Sequence, residues 1–111
     1  MAGKFEIYKD KRGEFRFRLK AGNGENILAS EGYSDKGGCT NGVESVQKNA
    51  ALAERFEKKT SSSGKPYFVL KAGNHQVIGT SEMYSSDAAC EAGVKSVMNT
   101  APGASIDDQT A

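Results

Sequence analysis

The sequence predicts an α+β domain built by duplicating one β-β-β-α unit, the two copies sharing one antiparallel sheet with both helices on one face. Three observations carry that expectation. Residues 5–50 align with residues 56–101 without a gap at an offset of 51, and 20 of the 46 aligned positions are identical. Each copy contains short alternating segments separated by turns rich in Gly and Asn. Each copy then ends in a stretch whose small and apolar residues recur at helical spacing.

The elements follow in chain order. Phe5-Glu6-Ile7-Tyr8 is a short alternating strand, closed by a polar turn ending at Gly13. Phe15-Arg16-Phe17-Arg18-Leu19-Lys20 alternates strictly, with one apolar and one basic face. Ala21-Gly22-Asn23-Gly24-Glu25 is a hairpin connection, in which Asn-Gly supplies the positive φ of a tight turn. Ile27–Ser30 forms a third strand. The second copy repeats this with Tyr67–Lys71, the turn Gly73-Asn74-His75 and Val77–Thr80, and Pro66 opens its middle strand, where a missing N–H does least harm.

A helix closes each copy. Ser34 and Ser85 read as its N-caps. Cys39, Gly42, Val43 and Val46 fall on one helical face, as do Cys90, Gly93, Val94 and Val97. A mid-helix glycine costs about 1 kcal/mol against alanine, so Gly42 and Gly93 mark a close approach of the helix to the sheet or to its twin. Phe17, Leu19, Val43 and Val46, with Phe68, Leu70, Val94 and Val97, form the expected core. One copy alone is too small a layer to bury such a core. Two copies on one sheet, related by a pseudo-two-fold axis, give a single domain over 1–111 that is expected to be a monomer. The repeats occupy 5–50 and 56–101. A polar tail over 102–111 is expected to fray, with 104–107 suited to an edge strand.

Composition limits the function classes. The chain has 111 residues, 13 glycines and only two prolines, and its 15 basic and 14 acidic side chains leave a net charge of +1. That balance argues against a general attraction to nucleic acid or anionic membrane. The first residues lack the apolar core of a secretory signal, and no apolar run approaches the roughly 18–20 residues that cross a bilayer. A cytoplasmic protein is expected, with Cys39 and Cys90 as small buried hydrophobes in the reduced state.

No catalytic constellation, metal site or cofactor is read from the chain. The single histidine, His75, falls in a hairpin turn with no nucleophile beside it in sequence. Gly22-Asn23-Gly24 lacks the following helix and the Lys-Ser/Thr of a phosphate loop. Glu31 and Glu82 precede the helices and suit their positive ends. Tyr33 and Tyr84 sit where a hydrophobic staple belongs. Ser45 and Ser96 are kept in both copies without a capping role.

The remaining feature is a surface. With both helices on one face, the opposite face is open. By strand alternation it carries Glu6, Tyr8, Arg16, Arg18, Lys20, Leu28 and Ser30 from the first copy, and Glu57, Lys59, Tyr67, Val69, Lys71 and Ser81 from the second. Arg16, Arg18, Lys20, Tyr67 and Lys71 are its candidate binding residues, since aromatics interleaved with cations on an open sheet can stack bases and contact phosphates.

The repeated pattern Phe-Glu…Phe-x-Leu-Lys-Ala-Gly-Asn…Ser-Glu-x-Tyr-Ser…Gly-Val-x-Ser-Val, over residues 4–101, resembles the YegP-like family of small bacterial proteins in its two-repeat form. The resemblance implies β(3)-α-β repeats on one sheet with exchanged last strands, and single-repeat relatives that pair two chains. It implies no activity and no catalytic residues. The expectation is therefore a non-catalytic binding or interaction module that uses the open face for a protein or a single-stranded polyanion. The alternative is a small enzyme with a site at the seam between repeats, assembled from Glu31, Glu82, Tyr33 and Tyr84.

Overall fold

Two alternating hairpins followed by a helix, repeated once, give the order of elements in the computed structural model, which describes residues 3–110; residues 1, 2 and 111, the ends of the expected domain, lie outside the described residues. The strands are β1 (Lys4–Lys9), β2 (Phe15–Lys20), β3 (Asn26–Ala29), β4 (Phe56–Thr60), β5 (Pro66–Lys71), β6 (Val77–Thr80) and β7 (Ser105–Asp108). The helices are α1 (Lys36–Asn49) and α2 (Asp87–Thr100), and short 3-10 turns cover Ala53–Arg55 and Ala101–Gly103. All seven strands form one sheet in the order β4-β5-β6-β3-β2-β1-β7. Six are antiparallel to their neighbours, while β7 runs parallel to β1.

The pseudo-two-fold axis passes between β3 and β6. Ala29 pairs with Thr80, its own counterpart in the other copy. Beside that axis the copies must differ. Leu28 is buried, and a Cβ on Gly79, its counterpart, would sit 2.6 Å from Leu28 Cδ2. Two leucines cannot share that space, so one copy keeps the side chain and the other gives it up. The sequence expectation placed Leu28 on the open face. A register shift in the β2–β3 ladder between Leu19 and Lys20 instead sets Leu28 opposite Leu19, on the helix side.

The core lies between the sheet and the helices. Phe17, Leu19, Val43, Val46, Phe68, Leu70 and Val97 are fully buried, with Val94 half-buried against them. Cys39 and Cys90 are free and buried in the same cluster, and burial pushes the Cys39 thiol up to about 11. The helix glycines mark the predicted close approach. An added Cβ on Gly42 would stand 2.5 Å from the Tyr33 hydroxyl and 2.9 Å from Phe17 Cε2. Gly93 faces Tyr84 and Phe68 in the same way.

Three local expectations are revised. The N-caps are Asp35 and Ser86, one residue beyond Ser34 and Ser85. Asp35 Oδ1 accepts from Gly38 N–H at 2.7 Å, and Ser86 Oγ accepts from Ala89 N–H at 3.1 Å. Ser34-Asp35 and Ser85-Ser86 each offer two capping side chains, and the later one takes the site in both copies. Ser30 and Ser81 do not belong to the open face: each is buried, its hydroxyl accepting from the N–H of Phe17 or Phe68 at 2.9 Å and donating to the carbonyl of Glu31 or Glu82. The tail is ordered into β7, which exchanges one strand from the second copy onto the first. Lys36 of α1 ion-pairs with Asp108 across that junction.

Candidate functional site

The open face is organised in rows set by strand register. One row crosses the whole sheet, from Glu57 through Val69, Thr80, Ala29, Arg18 and Glu6 to Asp107. Its middle is uncharged and its ends are charged. Among the described residues no helix covers it, since both helices pack on the other side, but neighbouring side chains on the face bury Val69 and Glu6 and leave Ala29 exposed.

The candidate cations are already engaged. Arg18 Nε donates to Glu6 Oε1 at 2.7 Å, and its guanidinium lies over the Tyr8 ring, 4.4 Å from the centroid. Lys4 and Lys20 reach the same carboxylate at 3.4 and 3.5 Å. The Glu6 side chain is only 5% exposed, and its pKa is lowered, chiefly by the Arg18 hydrogen bond. Arg16 Nε donates to Asp10 Oδ2 at 2.7 Å, and this bond lowers the Asp10 pKa. In the second copy Lys71 pairs with Glu57. Tyr67 lies opposite Lys59 and is half-buried. Register therefore brings Arg16, Arg18 and Lys20 onto one strand beside their carboxylates. Tyr67 and Lys71 stand on β5, separated from them by β6 and β3.

The residues of the alternative site separate. A shallow cavity of about 400 Å³ lies between α2 and the β2–β3 hairpin, lined by Asn23, Glu25, Asn26, Glu82, Tyr84 and Ser96 among others. Glu31 and Tyr33 do not line it. Both tyrosines are tied into the core: Tyr33 stacks on Phe17 with centroids 6.3 Å apart, and Tyr84 on Phe68 at 6.1 Å. Burial raises both phenol pKa values, which disfavours the phenolate. The sequence pattern missed this stacking because Tyr33 and Tyr84 lie outside any regular alternation, although the paired glycines Gly42 and Gly93 signal that a bulky group crosses the helix. His75 occupies a turn at φ 70°, where its counterpart Gly24 has φ 85°. Among the described residues no group of three or more His, Cys, Asp or Glu side chains is placed to hold a metal ion. No helix among them is long and apolar enough to cross a membrane.

Comparison with known proteins places this geometry in a group. A family model described as a domain of unknown function, DUF1508, matches residues 10–57 and again residues 61–108. The chain is similar to a UPF0339 protein in the ptx operon 5′ region of Stutzerimonas stutzeri, 62% identical over 106 residues and covering 96% of each chain. It is 49% identical over 110 residues to the UPF0339 protein YegP of Escherichia coli (strain K12), covering 99% of this chain and 100% of that one. Two solution NMR structures share the fold. One is a UPF0339 protein from Shewanella oneidensis, with a TM-score of 0.91, 52% identity, and coverage of 97% of this chain and 92% of that chain. The other is YegP from E. coli, with a TM-score of 0.93, 49% identity, and coverage of 98% and 94%.

Proposed function

The chain belongs to the DUF1508 family, and from that premise we propose that it is a non-catalytic binding module whose open sheet face seats a protein partner. The observation that carries this reading is the uncharged row Val69-Thr80-Ala29, in which Ala29 is exposed, Thr80 half-buried and Val69 buried, flanked by the ion pairs Arg18–Glu6 and Lys71–Glu57. A small uncharged centre inside a charged rim fits the anatomy of a protein interface. The same ion pairs weigh against a polyanion. If Arg18 swung to a phosphate, the nearly buried Glu6 carboxylate would lose its shortest hydrogen bond and keep only the longer contacts to Lys4 and Lys20, a cost that opposes the swing. A monomer working in the cytoplasm belongs to the same reading: one chain supplies both halves of the sheet, and its cysteines are free.

The test compares proteins retained by the immobilised chain, by Thr80→Arg in the centre of the face, and by Lys48→Glu on the exposed side of α1. The expected result is a protein kept by the wild type and Lys48→Glu and lost by Thr80→Arg. An unchanged set on Thr80→Arg removes the face from the account. A short single-stranded oligonucleotide, titrated at low salt, is expected to leave the Arg16–Lys20 amides unshifted; shifts there would reinstate the polyanion.

A further inference from the structure

The cavity between α2 and the β2–β3 hairpin lies on the helix side of the sheet, away from the open face. Its volume of about 400 Å³ falls in the range that small-molecule sites occupy. Both copies build it. The hairpin of the first supplies Glu25, and the second supplies Glu82, Met83, Tyr84, Ala92 and Ser96. Met83 is 50% exposed, so a large apolar side chain in the lining stays open to an occupant.

Charge in this cavity has one sign. No Lys, Arg or His lines it, and among the described residues neither Glu25 nor Glu82 belongs to an ion pair. Both carboxylates act on the Tyr84 phenol: burial raises its pKa first, and Cys90, Glu82 and Glu25 raise it further. The neighbouring elements do not reverse that sign. Ala89 at the start of α2 lines the cavity, but its N–H is taken by Ser86 Oγ, and Asp87 in the first turn offsets the positive end of the helix. Lys95 of α2 acts on Glu91, one turn back. Lys20 of β2 reaches Glu6 on the open face. Two carboxylates without a cation, beside an apolar wall, are complementary to a cation that carries hydrocarbon.

The other end of the molecule provides the comparison. The pseudo-two-fold axis sets α1 and the β5–β6 hairpin where α2 and the β2–β3 hairpin stand. There Gln76 replaces Glu25, Gly32 replaces Met83, Lys36 replaces Asp87 and Asn41 replaces Ala92. Glu31, Tyr33 and Ser45 keep the common frame, while the second carboxylate and the apolar wall belong to one end alone. We propose that the cavity beside α2 binds a small aliphatic amine, its ammonium group held by Glu25 and Glu82 and its carbon chain lying against Met83 and Ala92. The site is separate from the open face and stands whether or not that face seats a protein.

The experiment is an amide-shift titration of the full chain with pentylamine and with pentanoate, in about 0.1 M salt to screen distant charges. Pentylamine is expected to shift Glu25, Met83, Tyr84, Ala92 and Ser96 with a single dissociation constant. Pentanoate, a similar chain of opposite charge, should leave them unmoved. Glu25→Gln and Glu82→Gln should each weaken pentylamine about fivefold, the upper end for an exposed ion pair. Both side chains are exposed, so neither change should alter the melting temperature appreciably. Gln76→Glu, at the other end, should leave the affinity as it is. No shifts at these residues at millimolar pentylamine, equal binding of pentanoate, or an affinity unchanged in both glutamine variants would each overturn the proposal. Equal shifts at other exposed acids, such as Glu44, would overturn it by showing a general attraction of amines to carboxylates. Binding here of the peptide Gly-Lys-Gly without binding of pentylamine would overturn it in favour of a protein side chain.

Discussion

β1 and β4 open the two copies and pair with their hairpin partners in the same register, but one lies inside the sheet and the other at its rim. Phe5 and Ile7 are buried, while Phe56 is half-buried and Lys58 exposed. The Glu6 side chain is 5% exposed and holds three cations; that of Glu57 is 46% exposed and holds two. The difference between the edges is β7. Sequence divergence between the copies follows neighbours rather than fold. Phe17 and Phe68, Ser30 and Ser81, Tyr33 and Tyr84, and Gly42 and Gly93 are identical because both copies surround them alike. Ile7 and Lys58 differ because one has a strand beside it. Leu28 and Gly79 differ because the axis brings them together.

That pairing of divergence with environment can be broken first at the axis. Leu28→Gly should cost about 3–5 kcal/mol, from a core cavity plus a strand glycine. Gly79→Leu should cost about 1–3 kcal/mol through overpacking. Exchanging both, so that the leucine sits on β6, should recover most of the combined loss in a denaturant-unfolding cycle. Additive losses would mean that the two positions do not share one space.

The edges give the next test. Ile7→Lys places an ammonium beneath the covered edge and should destabilise by about 3 kcal/mol. Lys58→Ile, the reverse change at the bare edge, should stay within about 0.5 kcal/mol of the wild type. Equal effects in the two unfolding curves would erase the distinction drawn between the strands.

A smaller effect concerns the strand that makes the difference. Lys36 and the Thr110 hydroxyl and N–H hold the Asp108 pKa at about 2, below its ordinary 3.8. Because the folded value is the lower one, the stabilisation is complete above about pH 4 and is lost as pH falls toward 2. Amide shifts of Ser105–Asp108 should therefore report loosening in that window, and Asp108→Asn should flatten the response.

Much of this architecture was legible in the chain. A gapless 51-residue offset reveals two like units, and the period-two and helical patterns place the core residues on their proper faces. What escaped the patterns has identifiable causes. The bulge between Leu19 and Lys20 reverses the face of Leu28, and no alternation rule signals a one-residue slip. Ser30 and Ser81 look like surface polar residues but are bound to the backbone of Phe17 and Phe68. β7 is four residues of mostly polar sequence, and its order comes from partners about a hundred residues away, Lys4 among them. The candidate face was legible as a set of residues, but its internal ion pairs were not, since they depend on which carboxylate each strand register places beside Arg16, Arg18 and Lys71.

The central claim is that the copies diverge where their surroundings do, above all where β7 covers one edge and leaves the other bare. Amide hydrogen exchange on the full chain compares the two edges in one sample. Ile7 N–H should exchange slowly behind β7 and Lys58 N–H rapidly at the open rim, and in a chain ending at Gly103 the Ile7 amide should approach the Lys58 rate. Protection of Lys58 and Thr60 equal to that of Ile7 in the intact protein, or an Ile7 amide indifferent to the loss of β7, would contradict the account.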